Sequence, residues 1–97
     1  MPSTQDYCDF VLDQLSLLSD ITTRKMMGEY ILYYKGKVFG GIYDNRFLVK
    51  PVEAAKKMMP NAPLELPYPG GKKMLLVEDI DNKAFLKDLV ESMFFDL

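Results

Sequence analysis

The chain has 97 residues, of which 48% are hydrophobic and 27% charged, proportions typical of a globular protein rather than a disordered or fibrous one. This length predicts a single domain over residues 1–97. Lys plus Arg number 12 against 14 Asp plus Glu, a net charge of −2. That balance weighs against nucleic-acid binding by this chain alone, because phosphate recognition normally leaves a basic excess.

The residue types that are missing restrict the chemistry of the chain. There is no histidine, so the commonest general base and the commonest metal ligand are both absent. The single cysteine, Cys8, can neither close an intramolecular disulfide nor form a thiolate metal site alone. No phosphate-binding glycine motif and no paired nucleophile and base are present. The sequence therefore predicts a non-enzymatic protein with no catalytic residues, no cofactor and no metal site.

The N-terminal residues and the lengths of the apolar runs bear on localisation. Residues 1–6 lack the basic start and apolar core of a secretory signal peptide, and no apolar run approaches the ~20 residues of a membrane span. A lone cysteine fits a reducing compartment. We therefore expect a soluble, cytoplasmic protein with no membrane partner.

Residues 4–18 show the three- and four-residue apolar spacing of an amphipathic helix. Ser3 or Thr4 is suited to cap this helix, because a hydroxyl oxygen accepts a hydrogen bond from an unpaired amide of the first turn. Cys8 neighbours Val11 on the apolar face. We expect it to be a buried core residue rather than a reactive thiol.

The stretch from residue 22 to residue 50 alternates aromatic and β-branched segments with turn residues, which is typical of an antiparallel meander. A glycine pair, Gly40 and Gly41, interrupts one of these segments. Such a pair predicts a β-bulge or a close approach by another element, which we expect to be a helix crossing the sheet. The predicted strands are residues 22–27, 30–35, 38–43 and 46–50, and the predicted turns are residues 28–29, 35–37 and 44–45.

The segments after the meander predict a second helix, a loop and another strand. Residues 52–59 form the short helix, which Pro51 begins and Pro60 ends. Residues 60–73 hold four of the six prolines and predict an extended surface loop, either functional or a simple crossover. Residues 74–78 predict a fifth strand inside the sheet.

The last segment predicts a helix with one apolar face and a docked end. Asp79 or Asp81 is expected to cap this helix. Its apolar stripe runs to Phe94, and Phe95 adds further apolar surface, so we expect the end of the chain to dock on the sheet or on a partner. Taken together, the elements predict an α+β fold with a largely antiparallel sheet of about five strands flanked by helices, in the order α-β-β-β-β-α-β-α.

Basic and aromatic residues on the predicted strands are the best candidates for a binding surface. Six basic residues lie on adjacent strands among aromatic residues, and the first interpretation is a solvated sheet face or edge protection. The alternative is that they converge on one face and bind an anionic or protein partner. These six are Arg24, Lys25, Lys35, Lys37, Arg46 and Lys50. The methionine pairs at 26–27 and 58–59 are interpreted first as core filler and second as an adaptable interaction surface. The candidate partner-binding residues are Arg24, Lys25, Glu29, Tyr30, Tyr34, Tyr43 and Lys50.

Residues 24–30, Arg-Lys-Met-Met-Gly-Glu-Tyr, resemble the N-terminal domain of the TfoX/Sxy competence-regulator family. The resemblance covers essentially the whole chain, and its further blocks are residues 32–37, 41–44, 47–51 and 74–77. It implies an α+β domain and a bacterial cytoplasmic regulator that acts with the cyclic-AMP receptor protein to switch on DNA-uptake genes. It implies no catalytic residues. Full-length regulators of this kind carry a second, helical C-terminal domain, whereas this chain stops at Leu97, so we expect a stand-alone N-terminal domain.

The function expected from the residues and the resemblance is a non-enzymatic regulatory module that works by protein–protein contact in transcriptional regulation. The expected partner is the transcription machinery or an activator of the cyclic-AMP receptor protein type. A homodimer, formed through a sheet edge or through Phe94 and Phe95, is a further expectation. One alternative is direct nucleic-acid binding, with tyrosines of a basic-aromatic sheet face stacking on bases. A second alternative is an uncharacterised small enzyme.

Overall fold

The structure, a computed structural model that describes residues 3–97, begins with a helix, continues with four strands and ends with a helix. Its elements are α1 (Gln5–Gln14), β1 (Ile21–Met26), β2 (Glu29–Tyr34), β3 (Lys37–Tyr43), β4 (Arg46–Val49), α2 (Glu53–Met58), β5 (Leu64–Glu65), β6 (Met74–Leu76), α3 (Lys83–Met93) and a short 3-10 helix (Phe94–Asp96). Within residues 3–97, no helix is long and apolar enough to cross a membrane.

All strands belong to one antiparallel sheet in the order β1-β2-β3-β4-β6-β5. The predicted α+β class is confirmed, and the sheet has six strands rather than about five. The additional strand is β5, in which Leu64 pairs with Leu75 and Glu65 with Met74. It lies within residues 60–73, which the sequence predicts as a loop. A strand of two residues between prolines is too short to show an alternating pattern.

The turns that join β1 to β4 set the register of the first four strands. Each is a two-residue turn with positive φ at both positions, the geometry of a type I′ hairpin, whose twist matches that of the flanking strands. The three pairs are Met27 (φ 53°) with Gly28 (84°), Lys35 (50°) with Gly36 (80°), and Asp44 (53°) with Asn45 (54°). The predicted turn regions are confirmed to within one residue.

The two long helices begin at capping side chains. The Thr4 hydroxyl accepts a hydrogen bond from the Tyr7 amide at 3.1 Å, as predicted for α1. For α3, Asn82 accepts from the Phe85 amide at 3.0 Å. The predicted caps Asp79 and Asp81 are wrong for α3, because Asn82 lies three residues before the amide that needs an acceptor, the spacing of an N-cap.

The glycine pair of β3 lies beside a bulge and against neighbouring strands. Leu32 pairs with Gly40 while Tyr33 pairs with Val38, so β3 has one more residue than β2 at this point. A Cβ at Gly40 would collide with the backbone of β4, and one at Gly41 would lie 2.7 Å from a carbonyl oxygen of β2. The bulge is therefore confirmed, but the expected crossing helix is wrong: the closely approaching elements are adjacent strands.

The three helices all pack on one face of the sheet, here called the helix face. Alternate residues of the strands point to this face and form a core with the helices, in which Leu32, Phe47, Val11 and Leu86 are fully buried. Cys8 is 1% exposed and belongs to this core, as predicted. Burial and the charge of Asp9 raise the pKa of the Cys8 thiol.

We expect Cys8 to resist alkylation in the native protein, because only the thiolate reacts and this thiol is both buried and held protonated. Iodoacetamide labelling followed by mass spectrometry, with and without urea, measures this directly. Labelling should require unfolding, and equal rates in both conditions would contradict the buried position.

The opposite face of the sheet, here called the open face, is covered over only part of its width. Residues 66–73 fold back over β3 and β4, so that Leu48 is fully buried and Pro67 is buried as well. The ring of Tyr68 lies 6.0 Å from that of Tyr43. The open face of β1 and β2 lies beyond this loop, and most of β1 is exposed.

Candidate functional site

The predicted partner-binding residues divide between the two faces of the sheet. The turn at residues 27–28 pairs Met26 with Glu29, and alternation then distributes the predicted basic residues and tyrosines over both faces of the sheet. The predicted single basic-aromatic face is therefore wrong as a surface. Tyr30, Tyr34 and Lys25 lie on the helix-face side, whereas Arg24, Glu29, Tyr43 and Lys50 lie on the open-face side.

Tyr30 and Tyr34 are core residues rather than an exposed aromatic surface. They are 4% and 5% exposed. The Tyr30 hydroxyl donates a hydrogen bond to the Gln5 side chain at 3.1 Å, and the Tyr34 ring meets Phe94 edge-on at 5.6 Å. These tyrosines hold the first helix and the C-terminal segment on the sheet, because a buried tyrosine stabilises best when its hydroxyl finds a partner.

Lys35 in the turn between β2 and β3 and Lys37 at the start of β3 hold the C-terminal segment. The ammonium groups of Lys35 and Lys37 lie 5.5 Å and 4.9 Å from the ring centre of Phe94. Lys37 also donates a hydrogen bond to the Leu97 carbonyl at 3.4 Å. The C-terminal segment thus docks on the sheet through Phe94, while Phe95 is 87% exposed.

Arg46 uses its guanidinium to attach β5 to β4. It forms an ion pair with Glu65 at 2.7 Å, donates to the Leu66 carbonyl at 3.0 Å and donates to the Tyr43 carbonyl at 3.2 Å. These bonds occupy the planar donor group of Arg46. The side chain therefore has a structural role in residues 64–66 and adds little to a free basic surface.

Glu29 is the centre of a hydrogen-bond network at one end of the sheet. Its Oε1 accepts from the Ser3 amide at 2.9 Å and from the Ser3 hydroxyl at 2.8 Å, and its Oε2 accepts from the Asp44 amide at 3.1 Å. The Ser3 hydroxyl in turn accepts from the Asn45 amide at 3.0 Å, and the Asn45 side chain accepts from the Thr4 amide at 2.9 Å. One carboxylate thus joins the N-terminal segment to the turn between β3 and β4.

These contacts divide residues 24–30 into two parts. Gly28 supplies a positive φ of 84°, Glu29 supplies the network and Tyr30 supplies a core ring, so the fold accounts for the second part. Residues 24–27 are all exposed, and apart from the cation–π approach of Lys25 to Tyr30 at 5.9 Å the fold gains little from their side chains. Residues 24–27 are therefore the part of this motif that the fold does not explain, and they are the candidate functional surface.

Exposed apolar residues line the open face beside the strand that carries Arg24. Met26, Met27 and Tyr68 are 46%, 96% and 55% exposed. A groove of about 660 Å³ runs between the methionines and Tyr68, with Tyr43 in its lining. We call this surface the β1–β2 patch and define it by Arg24, Met26, Met27, Ile31 and Tyr68.

The composition of the β1–β2 patch differs from the expectations. The interpretation of Met26 and Met27 as core filler is wrong, since both side chains are exposed, whereas Met58 and Met59 do pack at the edge of the core. Tyr68 is missed by sequence reasoning, because its position over Tyr43 depends on how residues 66–73 fold back. Burial and the neighbouring Tyr68 and Glu29 raise the pKa of Tyr43, so its phenol is neutral at physiological pH.

Met27 combines exposure with an unfavourable backbone conformation. Its φ of 53° places it in the left-handed region, where glycine, asparagine and aspartate are favoured and other residues are strained. Its side chain is 96% exposed and gains no packing in return. A strained, exposed apolar residue does not stabilise the isolated chain, so Met27 is a candidate contact residue.

The chain is a small α+β domain with a partly covered sheet and an exposed apolar patch. The chain belongs to the TfoX N-terminal domain family, whose model matches residues 13–90. It is similar to an uncharacterized 12.7 kDa protein from the trpE 5' region of Spirochaeta aurantia, with 36% identity over 84 residues that cover 87% of this chain and 73% of that protein. No solved structure matches the chain. Membership of the family supports a regulatory, competence-related module.

Proposed function

We propose that this chain is a non-enzymatic regulatory module that binds a partner protein through the β1–β2 patch. Family membership supports the regulatory class, and the exposed apolar groove supports protein contact as the mode of action. The partner we propose acts in transcription, as an activator of the cyclic-AMP receptor protein type or a component of the transcription machinery. The expected cytoplasmic setting belongs to this proposal.

The observation on which this function chiefly depends is the strained and fully exposed Met27. Methionine is flexible and polarizable, so a protruding methionine adapts to an apolar pocket on a partner. Asparagine at the same position would relieve the backbone and remove apolar surface from water. The sequence nevertheless has methionine there, next to a second exposed methionine.

The charges around the patch indicate the chemistry of the partner. Arg24 lies on the open face beside the groove, whereas Lys25, on the same edge strand, lies on the helix-face side. Glu29, the acidic residue of the groove lining, has its carboxylate bound to backbone and hydroxyl groups. The surface therefore suits a protein segment with an apolar anchor beside a carboxylate, since such a segment fills the groove and pairs with Arg24.

The binding experiment uses the purified chain with the cyclic-AMP receptor protein and the RNA polymerase of the same organism, measured by calorimetry or interferometry. The sharpest variant is Met27→Asn, and the matched control is Phe95→Asn, which also replaces an exposed apolar residue, at a different site. Loss of binding only in the first variant supports the proposed function. Equal binding by both variants, or binding only to nucleic acid with a steep salt dependence, contradicts it.

We expect Met27→Asn to stabilise the fold while weakening partner binding. Asparagine followed by glycine is a favoured pair for a type I′ turn, so the free energy of unfolding should rise by about 0.5–1 kcal/mol. Partner affinity should fall roughly tenfold or more, as for a central interface residue. Urea unfolding and affinity titration measure the two effects. A variant that lost both stability and binding would show that Met27 acts through the fold.

A further inference from the structure

The two edges of the sheet differ greatly in length. β5 forms one edge and has only two residues, whereas β1 forms the other and has six. Five of the six residues of β1 are exposed. Natural sheets usually shorten or cover an edge, because unpaired backbone groups of a long edge strand can pair with another chain. The β1 edge is thus the more competent of the two for association.

The pairing with β2 determines which backbone groups of β1 remain at the free edge. The Asp20 carbonyl accepts a hydrogen bond from the Lys35 amide at 3.1 Å. Asp20 and Lys35 therefore form a hydrogen-bonded pair at the start of the ladder between β1 and β2. Hydrogen-bonded and non-hydrogen-bonded positions alternate along an antiparallel pair. Ile21, Thr23 and Lys25 therefore direct their amide and carbonyl groups away from β2 and toward the edge.

We propose that β1 pairs antiparallel with β1 of a second copy of this chain, about a twofold axis at Thr23. In this register Thr23 lies opposite Thr23 of the second copy, and Ile21 lies opposite Lys25 of the second copy. All the edge-directed residues of both strands are then hydrogen-bonded. A twofold axis perpendicular to the sheet also keeps each face continuous across the two copies.

The charges of β1 favour the register centred on Thr23 over the registers centred on the residue before or after it. Arg24 lies opposite Thr22, so no two like charges face each other directly. A register centred on Arg24 would place the two guanidinium groups opposite one another. A register centred on Thr22 would leave Lys25 facing the region before β1, where Asp20 has a φ of 63° and the extended strand has ended.

The pairing is independent of the proposed function, because it uses backbone groups of β1 rather than the side chain of Met27. It also places Arg24 of both copies on one joined open face. Two strands of this length bury a limited area, so the dimer should be weak and its population should depend on concentration.

Disulfide trapping tests the register directly. Residues opposite each other in a hydrogen-bonded pair have Cα atoms about 5.5 Å apart, within disulfide range. Thr23→Cys should therefore form a covalent dimer under mild oxidation, measured on a non-reducing gel. Thr22→Cys is the matched control, because the two cysteines would be offset along the strands by two residues and about 8 Å apart. Native Cys8 is buried and should stay reduced.

The outcomes of the trapping experiment are distinct. Rapid dimer formation by Thr23→Cys alone supports pairing centred on Thr23. Preferential dimer formation by Thr22→Cys overturns the proposed register, and equal, slow reaction of both variants indicates random collision and overturns the pairing.

A proline variant tests the pairing without a cross-link. The Thr23 amide points to the edge, so Thr23→Pro removes a donor needed by the dimer while sparing the ladder with β2. Sedimentation velocity over a range of concentrations should show a monomer–dimer equilibrium for the wild type and a monomer for Thr23→Pro, with unchanged circular dichroism. A wild type that stays monomeric at all concentrations, or a folded variant that dimerises equally, overturns the inference. If the proline variant unfolds, disulfide trapping decides.

Discussion

Replacing Gly40 with alanine is expected to lower the free energy of unfolding by about 3 kcal/mol or more. A Cβ at this position would collide with the Leu48 carbonyl oxygen and lie 3.0 Å from the Cα of Val49. Both atoms belong to the backbone of β4, so no side-chain rotation relieves the contact. Strand β4 would have to move away from β3, and it lies between β3 and β6 in the middle of the sheet.

The matched control for this substitution is Gly36→Ala. Gly36 has a φ of 80° and no heavy atom within 4 Å of the Cβ position. Alanine there should lower the free energy of unfolding only by the strain of its left-handed backbone conformation, about 1 kcal/mol. Urea unfolding of both variants, followed by circular dichroism, gives the two free energies. Equal losses of unfolding free energy in the two variants would show that β4 can move at little cost, and that the close approach at Gly40 is not a strong constraint.

The local pattern of the sequence predicted the first four strands well. The alternation of residue types identified the strands, and the turn residues identified the hairpin loops between them. Both signals are local, because the residues that produce each one lie close together in the sequence. The same information would have placed Arg24 and Tyr30 on opposite faces, because a two-residue turn at 27–28 pairs Arg24 with Ile31. The expected convergence of basic and aromatic residues was therefore an error of register that the sequence itself could correct.

Other features depend on contacts between distant segments and could not be predicted in this way. β5 exists because Leu64 and Glu65 meet β6, and Tyr68 belongs to the β1–β2 patch because residues 66–73 fold back over Tyr43. Proline-rich composition predicted an irregular segment correctly for most of this stretch, but it carries no information about the surface on which the segment lies.

Association and partner binding would use different parts of the same strand. The proposed dimer needs the outward backbone groups of Thr23, whereas the β1–β2 patch presents side chains such as Arg24 and Met26. Because backbone and side chains point in perpendicular directions in a sheet, both interactions can occur together. A dimer would then present two patches, and a dimeric partner would gain affinity from binding both.

Replacing Glu29 with alanine is expected to lower the free energy of unfolding by about 2–3 kcal/mol, because hydrogen bonds to a carboxylate are stronger than neutral ones. The Ser3 hydroxyl would lose its acceptor and the Ser3 amide would keep only the Gly28 carbonyl, and Ser3 is only 8% exposed. The Asp44 amide would lose its bond to Glu29 as well. Glu29→Gln keeps one acceptor oxygen and should lose about 1 kcal/mol.

The control substitution is Glu91→Ala, which removes a carboxylate from an exposed helix pair with Lys87 and should leave the urea midpoint nearly unchanged. Hydrogen exchange adds a local readout, since the amide of Thr4 depends on the same network through Asn45 and should exchange faster in Glu29→Ala. This measurement also separates the two roles considered for Glu29. A variant that kept its urea midpoint and its slow exchange but lost partner binding would make Glu29 a direct contact, whereas the structure makes it the residue that fixes the N-terminal segment beside the β1–β2 patch.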